Sequence, residues 1–116
     1  MIEEEPEIKH LVIMVTTPDK EQAITIARTL VSEKLCACVN IIEPITSIYT
    51  WKGKIEQDRE VLMLIKTRDA LFGKLTARIK ELHSYDVPEI IALPILAGNP
   101  SYLKWIDEVC GNYLID

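Results

Sequence analysis

The sequence lacks the features that mark secreted, membrane-spanning and disulfide-stabilised proteins. Its three cysteines are an odd number among 116 residues, and they form no recognisable disulfide framework. No apolar run approaches the ~20 residues that a membrane-spanning helix needs. The chain opens on an acidic stretch, whereas a signal peptide is basic and then apolar. We therefore expect a cytoplasmic protein with reduced thiols and no membrane partner.

Positive charge is also scarce, because 13 basic residues stand against 18 acidic ones and give a formal net charge of −5. Such a chain has no excess of cations to neutralise a row of phosphates, so we expect no nucleic-acid partner. Catalytic motifs are missing as well: there is no Gly-x-Ser-x-Gly elbow, Walker loop or His-Glu-x-x-His pair. The sequence nominates no catalytic residue, and we interpret the protein as a non-enzyme.

The residues that are present fit one globular domain. Hydrophobic residues make up 48% of the chain and charged residues 27%, with no linker, repeat or low-complexity stretch. We predict a single domain over residues 1–116, in which residues 1–7 form a flexible acidic start. A chain of this length buries enough surface to form a core without disulfides or metals.

The apolar periodicity predicts the element order β-α-β-β-α-β-α. The predicted elements are a strand at 8–16, a helix at 18–34 capped by Thr17, strands at 36–51 and 54–67, a helix at 69–83, a strand at 89–96 and a short helix from 99 to about 111. Without its last helix this order is the split β-α-β, or ferredoxin-like, pattern. Right-handed crossovers then place both main helices on one face of an antiparallel sheet. The predicted class is α+β.

The second and third strands are predicted to be longer than the outer two. Each has roughly 14 residues and spans about 45 Å, whereas roughly 8 residues span about 26 Å. Lys52-Gly53 joins them into a hairpin that projects past the sheet, unless it curls back over it. An exposed ribbon is marginal in water, so we predict a homo-oligomer with Tyr49 and Trp51 at the contact between subunits.

Several motifs stand in an order and spacing that resembles one known family, the CutA divalent-cation tolerance proteins, from about Leu11 to Ile106. The motifs are Thr17-Pro18-Asp19 and those at residues 30–41, 47–54, 66–67, 83–91 and 102–105. The resemblance implies a ferredoxin-like fold and a homotrimer with interlocking hairpins. It also implies a cytoplasmic role in tolerance of, or response to, divalent metals, copper above all.

The resemblance further implies two metal ligands, Cys38 and His83. Thiolate and imidazole are good ligands for copper. The sequence departs from the family's copper-binding pattern at two positions. Val15 stands where a cysteine precedes the Thr-Pro motif, and Leu82 stands where the first of two histidines is found. We therefore expect weak binding of copper or another divalent ion and no resident cofactor.

The other cysteines and histidine have simpler interpretations. Cys36 and Cys38 are two residues apart in a predicted strand, so they are expected to face the same side, as small core residues or as the start of a soft-metal site. Cys110 is interpreted as a packing residue. The alternative for His83 is a capping or hydrogen-bonding role, and His10 is expected to be exposed and without a role.

Three further polar residues, Lys66, Tyr85 and Glu89, are expected at strand and loop ends beside His83. An ammonium, a phenol and a carboxylate could together line a cleft between subunits. This mixture suits a small anion or zwitterion as well as a metal ion. The alternative function is therefore a trimeric regulator or scaffold, similar in architecture to PII signalling proteins, that binds a small metabolite in this cleft.

Overall fold

The computed structural model describes residues 7–111, so the expected flexible start lies outside it except for Glu7. In chain order the elements are β1 (His10–Thr17), α1 (Lys20–Ser32), β2 (Cys38–Trp51), β3 (Lys54–Arg68), a 3-10 turn (Asp69–Leu71), α2 (Phe72–Leu82), β4 (Ile90–Pro94) and α3 (Pro100–Val109). The strands form one sheet in the order β2-β3-β1-β4, with every neighbouring pair antiparallel. The predicted ferredoxin-like α+β fold is confirmed.

The core lies between one face of this sheet and the helices α1 and α2. Alternate residues of β1 and β3 point to that face, because successive side chains of a strand point to opposite sides. Fully buried members include Ile13 on β1, Met63 on β3, Ile26 on α1 and Ile79 on α2. These contacts fix both main helices on the same face, as the crossover rule predicts.

The first helix begins later than its sequence pattern predicts. Asp19, not Thr17, is the N-cap, and its carboxylate accepts the backbone N–H of Gln22 at 2.8 Å. Thr17 instead ends β1, where it pairs with Val61, and its hydroxyl donates to the backbone oxygen of Asp19 at 2.8 Å. The prediction of Thr17 as the cap was wrong because the strand ladder extends one residue further than the apolar run.

The last helix follows its predicted signals. The Asn99 side chain caps α3 by accepting the N–H of Ser101 at 3.0 Å, and Pro100 occupies the first turn. Gly111 follows the helix with φ of +73°, a conformation that favours glycine. Its N–H donates to the backbone oxygen of Lys34 at 2.7 Å. This bond ties the end of α3 to the segment that precedes β2.

The projecting hairpin is present. β2 has 14 residues and β3 has 15, and they pair from Cys38↔Lys66 to Trp51↔Lys54. β1 reaches only residues 61–68 of β3, so residues 54–60 and their partners on β2 form a two-stranded ribbon beyond the sheet. Lys52 and Gly53 both have positive φ, as a type I′ turn requires. The pairing shifts register at the bulge between Ile42 and Ile45.

The face of the sheet opposite α1 and α2, here called the outer face, is apolar and only partly covered. Register places Met14, Leu62 and Leu64 at its centre. Its edges carry Ile42, Ile91 and Leu93, which are 44%, 49% and 48% exposed. Helix α3 lies at one end, where Tyr102 reaches the thiol of Cys38.

Between residues 7 and 111, no helix is long and apolar enough to cross a membrane.

Candidate functional site

One polar cluster lies at the end of the outer face where β2 begins. Cys38 is opposite Lys66, and the Lys66 ammonium nitrogen lies 4.0 Å from the Cys38 sulfur. The phenol of Tyr102, on α3, faces the same thiol. Burial, and then the Cys38 thiol, raise the pKa of Tyr102. Cys38, Lys66 and Tyr102 are called the thiol corner below.

Sequence reasoning found Cys38 and Lys66 but missed Tyr102. Tyr102 belongs to the family-like motif at residues 102–105, so its presence was visible. Its contact with Cys38 depends on how α3 packs against the sheet, and no local pattern predicts that packing.

The neighbouring Cys36 does not share the position of Cys38. It precedes β2 and is buried in the main core, whereas Cys38 lies on the outer face. The expectation that both face the same side was wrong, because the strand's alternation starts only at Cys38. Burial, with smaller effects of Cys110 and Cys38, raises the pKa of Cys36 to about 12. Cys110 is also fully buried, as its interpretation as a packing residue predicts.

A second cluster surrounds His83, which follows α2 and is 8% exposed. Its Nδ1 lies 3.1 Å from the backbone N–H nitrogen of Tyr85, and its Nε2 lies 2.7 Å from the backbone oxygen of Thr16. Since Nδ1 accepts a hydrogen, Nε2 carries the ring proton and donates to Thr16. Both ring nitrogens are therefore occupied by backbone partners, and a metal ion would have to displace one of them.

Tyr85 extends this second cluster towards the hairpin. Its ring lies 4.8 Å from the His83 ring, and its hydroxyl donates to a Glu60 carboxylate oxygen at 3.0 Å. Burial and the Glu60 carboxylate raise the pKa of Tyr85 to about 12. On the ribbon itself, Tyr49 donates to Asp58, and this hydrogen bond raises the pKa of Tyr49 to about 12.

One chain does not bring the two clusters together. Thr16, the partner of His83, is opposite Leu62, whereas Cys38 is opposite Lys66, four residues further along β3. Four residues correspond to about 13 Å of strand. Lys66 is separated from Tyr85 in the same way, and Glu89 is exposed just before β4.

A single chain therefore does not assemble the copper ligands that the resemblance implies. Cys38 offers one thiol, and His83 has no ring nitrogen without a partner. Within residues 7–111, no three histidine, cysteine, aspartate or glutamate side chains are grouped to hold a metal ion. A site that includes both Cys38 and His83 requires ligands from two chains.

The expectation for His10 was wrong. This residue begins β1 but is only 8% exposed, and its Nε2 lies 2.8 Å from an Asp107 carboxylate oxygen on α3. An open cavity of about 310 Å³ lies beside the pair, lined by Glu7, Lys9, Arg68, Asp69 and Asp107. The packing of α3 explains the burial, since β1 alone would leave its first residue at the surface.

The fold and its site residues define a small ferredoxin-like protein with a projecting hairpin and a half-buried thiol. The chain belongs to the CutA1 divalent ion tolerance protein family, whose sequence profile matches residues 11–109.

Individual relatives are similar over most of this chain. It is 52% identical over 100 residues to the divalent-cation tolerance protein CutA of Thermus thermophilus, and the alignment covers 86% of this chain and 97% of that protein. It is 54% identical over 95 residues to protein CutA of Mus musculus, covering 82% of this chain and 54% of that one. The chain thus spans nearly all of the bacterial relative but about half of the mouse protein.

Solved structures have the same fold. The Cut A1 structure from Thermus thermophilus superimposes with a TM-score of 0.86 at 51% identity, over 88% of this chain and 99% of that one. CutA1 from a psychrotrophic Shewanella species gives a TM-score of 0.88 at 39% identity, over 90% and 98% of the two chains. The agreement covers the sheet and its helices together.

Proposed function

We propose that this protein acts as a cytoplasmic homotrimer in divalent-metal tolerance and binds copper weakly, without catalysing a reaction. Family membership supports the link to divalent ions, because the related proteins are named for tolerance of them. The observation that carries the assembly is the uncovered apolar surface of the ribbon and outer face. The free thiols support the cytoplasmic location. Relatives named chloroplastic and periplasmic make cell fractionation the test of location.

The ribbon exposes large apolar side chains on both of its faces. Ile48, Trp51 and Ile55 are 66%, 60% and 80% exposed in the single chain. Register puts Trp51 with Tyr49 on one face and Ile48 with Ile55 on the other. Each such side chain contributes about 1.5–3 kcal/mol when it is buried. Two uncovered faces favour an assembly in which each hairpin meets two neighbours, as in a closed trimer, over a two-fold dimer.

Copper binding depends, in this proposal, on the Cys38 thiol and on His83 of a neighbouring subunit. Calorimetric titration of copper(II) into the wild type, Cys38→Ser and His83→Gln tests it. Glutamine keeps a nitrogen that can donate to the Thr16 backbone oxygen, so it is a milder change than alanine. We expect at least roughly tenfold weaker binding in each variant. A Tyr102→Phe control keeps the thiol, and equal affinity in all four proteins removes both residues from the site.

A second candidate function is that of a trimeric regulator, similar in architecture to PII proteins, that binds a small metabolite between subunits. The engaged ring nitrogens of His83 favour this alternative, because they leave the imidazole little freedom to bind a metal. Lys66, Tyr85 and Glu89 would line the cleft from different chains. Calorimetry with a panel of anionic and zwitterionic metabolites separates the two functions: heat with a metabolite and none with copper supports the regulator.

A further inference from the structure

Helix α3 is attached to the sheet by a partly buried histidine–carboxylate pair, in which the Asp107 side chain is 41% exposed. The His10 side chain is 10% exposed, and its Nε2 lies 2.8 Å from an Asp107 carboxylate oxygen. Arg68 approaches the same oxygen, with its Nε at 3.6 Å. His10 belongs to β1, Asp107 to α3 and Arg68 to β3, so the three residues together join the helix to the two central strands.

The remaining contacts of α3 are apolar or lie at its ends. Ile106 and Cys110 pack with Ala37 and Leu71 in a small core of their own. At the other end, the Tyr102 phenol faces the Cys38 thiol. Asp107 follows Ile106 directly, so its pairing with His10 reinforces the end of the helix that packs in this small core.

We propose that the His10–Asp107 pair is a pH-dependent latch that holds α3 over Cys38. With an imidazolium, the pair combines a hydrogen bond with the attraction between two opposite charges. With a neutral imidazole, the hydrogen bond to the carboxylate remains but the charge–charge attraction is lost. A rise in pH therefore lets α3 open more often and exposes the thiol corner. The latch is independent of metal, but its functional meaning rests on the proposed role of Cys38.

The charges around His10 are mixed. The cavity beside the pair is lined by two cations, Lys9 and Arg68, and by three carboxylates, Glu7, Asp69 and Asp107. Lys9 also lies 4.0 Å from Glu7. On the β4 side, His10 meets the uncharged Ile95, whose N–H donates to the His10 backbone oxygen at 2.9 Å. The open cavity exposes the pair to solvent on the Asp107 side.

Hydrogen exchange of the α3 amides, corrected for intrinsic rates, measures the latch directly. The comparison runs between about pH 5.5 and about pH 8. In the wild type we expect about fivefold lower protection of α3 at the higher pH. His10→Gln should show no such change, whereas the surface control Lys9→Gln should keep it. A wild-type protein without pH dependence, or His10→Gln with the wild-type dependence, overturns the latch.

Labelling of Cys38 with a small neutral alkylating reagent tests whether α3 covers the thiol. The rate in His10→Gln is divided by the wild-type rate at each pH, so that ionisation of the thiol cancels. We expect a ratio of about five at the lower pH, falling towards one at the higher pH. A ratio of one at both values overturns the cover over Cys38. Neither experiment contains metal, so a failed copper titration leaves both results standing.

Discussion

At the scale of single residues, environment separates three cysteines that look alike in the sequence. Cys36 and Cys110 are buried, and burial raises the pKa of both thiols. Cys38 is half-buried and in contact with Lys66 and Tyr102. The thiolate is the reactive form of cysteine, so both burial and a raised pKa suppress its chemistry.

Alkylation of the native protein at about pH 7.5 should therefore modify Cys38 alone. With a pKa of about 12, less than about one part in ten thousand of Cys36 is thiolate at that pH. We expect Cys38 to react at least about a hundredfold faster than Cys36, as peptide mass spectrometry would resolve. Unfolding in urea should equalise the rates. Equal labelling without urea contradicts the buried position of Cys36.

The Tyr85–Glu60 hydrogen bond makes a prediction at high pH. Burial and Glu60 raise the pKa of Tyr85 to about 12, above the ordinary value of 10. The associated stability is therefore complete below pH 10 and is lost as the pH rises through about 12. In tyrosinate absorbance titrations, Glu60→Gln should lower the midpoint of Tyr85, but not fully to the ordinary value because burial remains, and should lower that of Tyr49 by less, since Glu60 is a minor cause of its raised pKa. Glu81→Gln, away from Tyr85, should leave every midpoint unchanged.

At the scale of elements, periodicity predicted the fold well and the contacts poorly. The continuous apolar run of β1 and the two long arms around Lys52-Gly53 were sufficient to predict the sheet and its hairpin. The burial of His10 and the contact between Tyr102 and Cys38 were not predictable. Both depend on where α3 packs, and the helix's own pattern does not specify its partner. Thr17 and Asp19 are both suitable N-cap residues, and the sequence pattern does not choose between them. The cap is Asp19 because Thr17 pairs with Val61 in the sheet.

The ribbon of β2 and β3 should control assembly. Trp51→Ser and Ile55→Ser each remove apolar surface from a different ribbon face, at a cost of about 2 kcal/mol per contact in a packed interface. We expect the proposed trimer, measured by light scattering at micromolar concentration, to dissociate in these variants, and the melting temperature to fall by several degrees. The exposed control Gln57→Ser should preserve both. A wild-type monomer under these conditions would falsify the assembly proposal.

At the scale of the whole molecule, the two clusters lie apart in one chain and would meet only in the proposed assembly. The thiol corner and the His83 cluster lie about 13 Å apart along the sheet, too far to share a ligand within one subunit. The uncovered outer face and ribbon suggest how subunits could bring them together. Sequence reasoning named members of both clusters but could not assign them to separate places, because that assignment follows from strand register.

The tight turn at Lys52-Gly53 also limits how the hairpin can change in length. The turn and the ladder fix which residues stand opposite one another, so one residue inserted in one arm reverses the faces of every side chain up to the turn or forces another bulge. Two residues added to both arms preserve the faces and lengthen the ribbon by about 7 Å. The length of the hairpin can therefore change only in steps of two residues per arm if the same side chains are to keep their faces.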